Sequence, residues 1–149
     1  YANETGTKIF IYRFPNIFGK WCRPNYNSVI ATFCYNIAHD LPITIHDPEI
    51  QLNLAYIDDV IDELINVLIG NENRIYGDLC KVPIKYHLKL GEIVKILYLF
   101  KYTGKNLSVP DIREDFTKKI YSTYISYLPK SDSNYYLKSS EYENGSFIV

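Results

Sequence analysis

The chain reads as an α/β protein, and three observations carry that reading. Apolar stretches with little internal polarity, KIFIYRF and LNLAYI, alternate with segments whose apolar residues recur every three to four positions. Short runs of turn chemistry, Asp40-Leu41-Pro42 and His46-Asp47-Pro48, punctuate them. Alternation of this kind favours a parallel sheet covered by helices.

Composition bounds the function. The 149 residues are 47% hydrophobic and 22% charged, ordinary globular usage for one domain. Sixteen basic and seventeen acidic residues leave a net charge of −1 with no basic block, so neither nucleic acid nor a membrane is the expected partner. The longest apolar runs, Val67–Gly70 and Ile96–Phe100, are far too short to span a bilayer. Cys22, Cys34 and Cys80 fit no zinc or disulfide spacing and read as free thiols, consistent with a cytoplasmic protein.

Taken in order, Tyr1–Thr5 followed by Gly6 reads as the last turn of a helix with glycine at the left-handed stop. Ile9 to Phe14 reads as a buried strand. Tyr26 to His39 reads as a helix with Val29, Ile30, Phe33, Ile37 and Ala38 on its apolar face, ended by Pro42. Residues 43–45 and 52–57 read as strands. The next helix starts at Asp58-Asp59, where carboxylates suit unpaired N–H groups, and runs to Ile69 before Gly70. Its inward residues are Val60, Ile61, Leu64, Ile65 and Leu68. Residues 71–86 read as loop with one strand. A helix from Leu90 to Lys101 buries Ile93, Ile96, Leu97 and Phe100, and one from near Asp111 buries Phe116, Ile120, Tyr124, Tyr127 and Leu128 until Pro129. Beyond it KSDSNYYLKSSEYENGS is polar and aperiodic, as a linker is.

The first strand ends in unusual equipment. RFPNIFGKWCRPNYN, residues 13–27, carries arginines, a lysine, asparagines, a tryptophan and a cysteine where a short turn would do. In open α/β sheets, ligands sit outside the carboxyl ends of strands. Arg23 can fork onto phosphate oxygens, Asn16 can donate and accept in one plane, and Trp21 and Tyr26 can stack on a base or a sugar. The competing reading is a surface loop whose aromatic residues fill the core.

Arg13-Phe14-Pro15-Asn16-Ile17-Phe18-Gly19 resembles the R-x-x-N-x-[F/Y]-G segment of the extended short-chain dehydrogenases, the nucleotide-sugar epimerase and dehydratase family. Tyr56-Ile57-Asp58-Asp59-Val60 resembles that family's later DDV segment. The longer block FGKWCRPNYNSVIATFCYNIAHDLPI is similar to the bifunctional capsular-polysaccharide enzymes of the UDP-N-acetyl-L-fucosamine pathway. In these a reductase domain using NADPH precedes a cupin. DFTKKIYSTYISYLP resembles their closing helix, and Glu143–Phe147 their cupin's opening D-x-R-G-S-F, with Asn144 standing where arginine is usual.

The resemblance implies the C-terminal, substrate-binding half of a Rossmann-type extended short-chain dehydrogenase, with the N-terminal half absent. It places that substrate-binding part at residues 1–129, a linker at 130–143 and a truncated cupin's first strand at 144–149. It implies a UDP-linked amino-deoxy sugar as ligand, contacted by Asn16 and on the loop by Arg23, Asn25 and Asn27. Phe14 and Pro15 would approach the nicotinamide of NADP, bound mainly by the absent half, and the intact protein would be a homodimer. The family's frequent phosphate-binding arginine, six residues before the DDV aspartate, is Leu52 here, which throws diphosphate binding onto another residue such as Arg23. No catalytic residue is assigned: the family's Tyr-x-x-x-Lys pair and its glycine-rich turn occur nowhere in residues 1–149, so this chain alone is expected to be inactive. No metal site is expected from His39, His46 and His87, which are scattered. Two other functions fit the same residues, a nucleotide-sugar 4-epimerase or dehydratase and a non-catalytic sugar-nucleotide-binding module.

Overall fold

The structure is a computed structural model that describes residues 2–106, 108–133, 139–142 and 145–148. Its elements alternate as the α/β reading requires. A short helix α1 (Ala2–Thr5) stops at Gly6, whose φ of 68° is the left-handed stop expected there. Two strands follow where one was expected: β1 (Ile11–Tyr12) and β2 (Asn16–Phe18).

They belong to different sheets. β1 lies parallel to β5 (Leu79–Cys80), which pairs antiparallel with β4 (Arg74–Tyr76). β2 lies parallel to β3 (Gln51–Tyr56), and β3 pairs antiparallel with β6 (Tyr86–Lys89). The sheets are therefore mixed rather than parallel. The apolar stretch Ile9–Phe14 is not a buried strand either. Ile11 is 50% exposed, and Ile9 and Phe14 are exposed beside it.

Helix α2 (Val29–Ala38) starts three residues later than its apolar pattern predicts. Asn25, with a φ of 54°, turns the chain out of helical conformation, and Ser28 accepts a hydrogen bond from the Ala31 N–H as the cap. Ile30, Ala31, Phe33, Cys34, Ile37 and Ala38 are buried. At the other end, the Lys101 ammonium donates to the Ile37 carbonyl at 2.7 Å, satisfying a group the helix leaves unpaired. Residues 43–45 form no strand; Ile43 and Ile45 simply pack on the core.

Helix α3 (Ile57–Leu68) departs most from expectation. Val60 and Glu63 are its buried residues, whereas Ile61, Leu64, Ile65 and Leu68 face solvent. Asp58 and Asp59 do not cap it: Tyr56 is the N-cap and makes no side-chain cap bond. The two carboxylates still sit in the first turn, where the helix dipole favours them. α4 (Leu90–Lys105) is longer than predicted, and Glu92 reaches back to the Lys89 N–H at 2.9 Å. α5 (Asp115–Ile125) begins later than Asp111.

The main core lies between β2-β3-β6 and helices α2, α4 and α5. Phe18, Leu54, Tyr56, Leu90, Ile93, Leu97, Phe100, Phe116, Ile120 and Tyr124 meet there. Phe18 sits at its corner, with ring centroids 5.3 Å from Tyr56 and 5.7 Å from Phe116. β7 (Ser139–Tyr142), in the stretch read as a linker, pairs antiparallel with β8 (Gly145–Ile148), in the stretch read as a cupin's first strand. Tyr1 and the motif residues Glu143 and Asn144 lie outside the described residues.

Candidate functional site

A cleft of about 480 Å³ opens where β2 ends. Residues 15–22 line it together with Asn27, Ser28 and Ile57. The parallel pairing of β2 with β3 explains the position. Phe18 lies opposite Tyr56, so the loop after β2 and the start of α3 emerge side by side from one sheet edge.

Gly19 makes that adjacency work. A β-carbon there would stand 2.3 Å from Ile57 Cγ2 and 3.0 Å from Ile57 Cβ. Glycine is thus required by contact between the two sequence segments that carried the resemblance, not by an unusual backbone angle.

The loop is held at three points. The Tyr127 hydroxyl donates to the Cys22 carbonyl at 2.5 Å, the Trp21 N–H donates to Ser126 Oγ at 3.4 Å, and the Asn25 N–H donates to Thr32 Oγ1 at 2.9 Å. Burial pushes the Tyr127 phenol up to about 12, which keeps it a hydrogen-bond donor. Trp21 and Asn25 both take positive φ, 61° and 54°. The Asn25 side chain suits that region and a tryptophan does not.

Among the residues expected to bind ligand, Pro15, Asn16 and Asn27 line the cleft. Phe14, Arg23 and Asn25 do not. The Phe14 ring stacks on Tyr12 at 5.6 Å, and the Arg23 guanidinium lies 5.5 Å from the Tyr26 ring. The cation in the cleft wall is Lys20, which the sequence reading passed over. Its ammonium lies 3.5 Å from an Asp58 carboxylate oxygen. Neighbouring Tyr56 first, and Asp58 second, raise its pKa above the ordinary lysine value. One signal could have found it: a basic residue directly after the motif glycine, on the strand's carboxyl side.

Two polar clusters lie outside the cleft lining. The Lys119 ammonium donates to both Asp59 carboxylate oxygens at 2.9 Å, to the Tyr86 hydroxyl at 2.8 Å and to Asp115 at 2.9 Å. Burial alone would lower its pKa, but these bonds to Tyr86, Asp59 and Asp115 raise it overall. Tyr86 donates to Asp115, and its phenol, chiefly through burial, is pushed up to about 12. This cluster braces α3, β6 and α5 against one another. In the other, the buried Glu63 accepts from the Tyr12 hydroxyl and from the Asn73 backbone and side-chain N–H groups. Burial opposes ionisation there, yet these donors hold the carboxyl below its ordinary value.

Among the described residues, no cluster of histidine, cysteine or carboxylate side chains could hold a metal ion, and no helix is long and apolar enough to cross a membrane. Of the two residues expected beside a nicotinamide, Phe14 lies outside the cleft lining. Pro15 lines the cleft, but no glycine-rich turn occurs in the chain to cradle a pyrophosphate.

No protein-family model matches the chain. It is 37% identical over 147 residues to a UDP-2-acetamido-2,6-beta-L-arabino-hexul-4-ose reductase of Pseudomonas aeruginosa, matching 99% of this chain and 39% of that protein. The crystal structure of the capsular polysaccharide assembling protein CapF from Staphylococcus aureus superposes with a TM-score of 0.88 at 44% identity, covering 99% of this chain and 41% of that one. The UDP-glucose 4-epimerase of Thermus thermophilus shares the fold, with a TM-score of 0.63 at 16% identity over 85% of this chain and 49% of that one. The chain therefore spans about two fifths of the length of the first two relatives it matches.

Proposed function

We propose that this chain, 37% identical to a UDP-sugar reductase and 44% identical to a capsular polysaccharide assembling protein, belongs with the extended short-chain dehydrogenases and contributes the sugar-nucleotide side of an NADPH-dependent reductase. The substrate is a UDP-linked 2-acetamido-2,6-dideoxy-hexos-4-ulose, and the product serves surface-polysaccharide synthesis. Identity of 37% to a UDP-sugar reductase favours reduction over epimerisation.

The observation that carries the reading is the cleft itself. It gathers two planar amides, Asn16 and Asn27, with one cation, Lys20, at the carboxyl end of a parallel strand pair. Lys20 supplies the charge a diphosphate needs, in the role that sequence alone offered to Arg23. Asn16 and Asn27 orient the sugar by hydrogen bonds. NADPH supplies the hydride when bound. This chain's residues bind and position the sugar, and the proton donor and pyrophosphate cradle come from outside residues 1–149, leaving the chain inactive by itself.

The test is calorimetry of the full chain with UDP-N-acetylglucosamine as a stable probe. Asn16→Ala and Lys20→Ala should each weaken binding about tenfold, the loss of one charge-assisted or buried hydrogen bond. Arg23→Ala should change it little. Unchanged binding in both cleft variants would place the sugar nucleotide elsewhere.

A further inference from the structure

The largest apolar side chain of the loop is in the wrong place for a structural role. Trp21 is the chain's single tryptophan, and it is 81% exposed. It takes a φ of 61°, a region costly for a bulky residue, and its own backbone N–H is tied to Ser126 at 3.4 Å. The adjoining Cys22 carbonyl is fixed by Tyr127 at 2.5 Å. The turn is thus anchored through its backbone to the end of α5, while the indole takes no part in the core. It instead lines the cleft beside Lys20, whose ammonium lies 5.8 Å from the ring.

We infer that Trp21 is the apolar wall on which the hexose ring of the sugar nucleotide stacks, setting the choice of sugar. This rests on the function proposed above and deepens it. An indole presents a flat face that suits the C–H face of a pyranose, and the amides of Asn16 and Asn27 in the same cleft suit the polar edge of that ring. A uracil would also stack, but the two amides of Asn16 and Asn27 that line the cleft with Trp21 match the hydroxyl-rich edge of a hexose better than the edge of a single base. A 6-deoxy sugar, with a methyl in place of a hydroxymethyl, adds apolar surface for that wall.

The lone indole makes the proposal directly readable. Titrate the full chain with UDP and, separately, with UDP-N-acetylglucosamine, following tryptophan emission and calorimetric heat together, with Trp21→Phe as the emission blank. The expected result is a saturable emission change with the UDP-sugar and little with UDP. Trp21→Ala should weaken UDP-sugar binding at least fivefold and leave UDP binding within twofold, and Trp21→Phe should restore most of the loss. An equal emission change with UDP would assign the indole to the nucleobase and overturn the inference. So would UDP-sugar heat with silent emission and an unaffected Trp21→Ala, which would leave the cleft's function standing. Absence of heat from either ligand would overturn the function and this inference together. The side chain is exposed, so both variants should fold, as circular dichroism would confirm.

Discussion

Two regions of this molecule are stabilised by opposite means. Around β2-β3-β6, three helices close over an apolar core in which Leu97, Ile93 and Ile120 are fully buried. Around β1-β5-β4 and α3, the buried apolar residues are few, essentially Ala55, Val60 and Val82 with Ile17 against them. There a polar group, Glu63, does the joining, linking α3 to β1 through Tyr12 and to the β4 approach through Asn73. The difference teaches where the cleft belongs. It opens from the well-packed region, at β2, and its only contribution from α3 is Ile57 at the first turn. A rigid scaffold under a ligand-binding loop is the arrangement expected of a site that must hold its geometry.

The largest effect should come from deleting volume on the two sides. Leu97→Ala should destabilise by about 2–5 kcal/mol, while Leu68→Ala, at a residue 85% exposed, should stay within about 0.5 kcal/mol. Urea titration of both variants checks this, and equal costs would break the comparison.

Next come the polar clusters. Lys119 and Asp59 are mostly buried, with side chains 15% and 11% exposed, so Lys119→Ala should cost about 2–4 kcal/mol by stranding a carboxylate. Glu63→Gln keeps the shape but gives up acceptor strength toward Tyr12 and Asn73, costing about 1–3 kcal/mol. The clusters should also respond to opposite ends of the pH scale. The Glu63 pKa is lowered in the fold, so its stabilisation is present above the unfolded carboxylate value, about 4.3, and is lost as pH falls through the lower folded value. The Lys119 pKa is raised, so its stabilisation is full below about 10.4 and disappears as pH rises through the folded value. Stability measured from acid pH to beyond the ordinary lysine value should show a shallower acid slope in Glu63→Gln and a shallower alkaline slope in Lys119→Ala, the other shifted carboxylates, lysines and tyrosines supplying what remains.

A smaller effect is expected at the junction of the two regions. Gly19→Ala forces its new methyl onto Ile57 and should cost about 1–3 kcal/mol. Combining it with Ile57→Val, which keeps the β-branch but shortens the chain, should recover little. Ile57→Ala, which removes the Cγ2 methyl, should recover more.

These contrasts also explain what was legible in the sequence. Helical periodicity found α2, α4 and α5, though not their ends, because each has one apolar face and one core to meet. The same logic failed for α3. Its apolar stripe is real, but periodicity records that a face wants burial and cannot say what buries it, and Ile61, Leu64, Ile65 and Leu68 are exposed here. Ile9–Phe14 misled in the same way, and the proline at position 15 hid a second strand that pairs only through tertiary contact with β3. At the site, Asn16 was visible because it stands inside a motif, and Asn27 because it lies in the polar loop that follows. Lys20, directly after the motif glycine, was passed over in favour of Arg23, three residues on, which the fold lays against Tyr26 and outside the cleft lining.

The account's central claim is that the cleft at the end of β2 binds the sugar nucleotide on a preformed scaffold. Amide hydrogen exchange with and without UDP-N-acetylglucosamine tests it most directly. Binding should slow exchange at residues 16–31 and in the first turn of α3, with little change along β4, β5 and the rest of α3. Protection confined to β4, β5 and the exposed face of α3, with residues 16–31 unmoved, would contradict it.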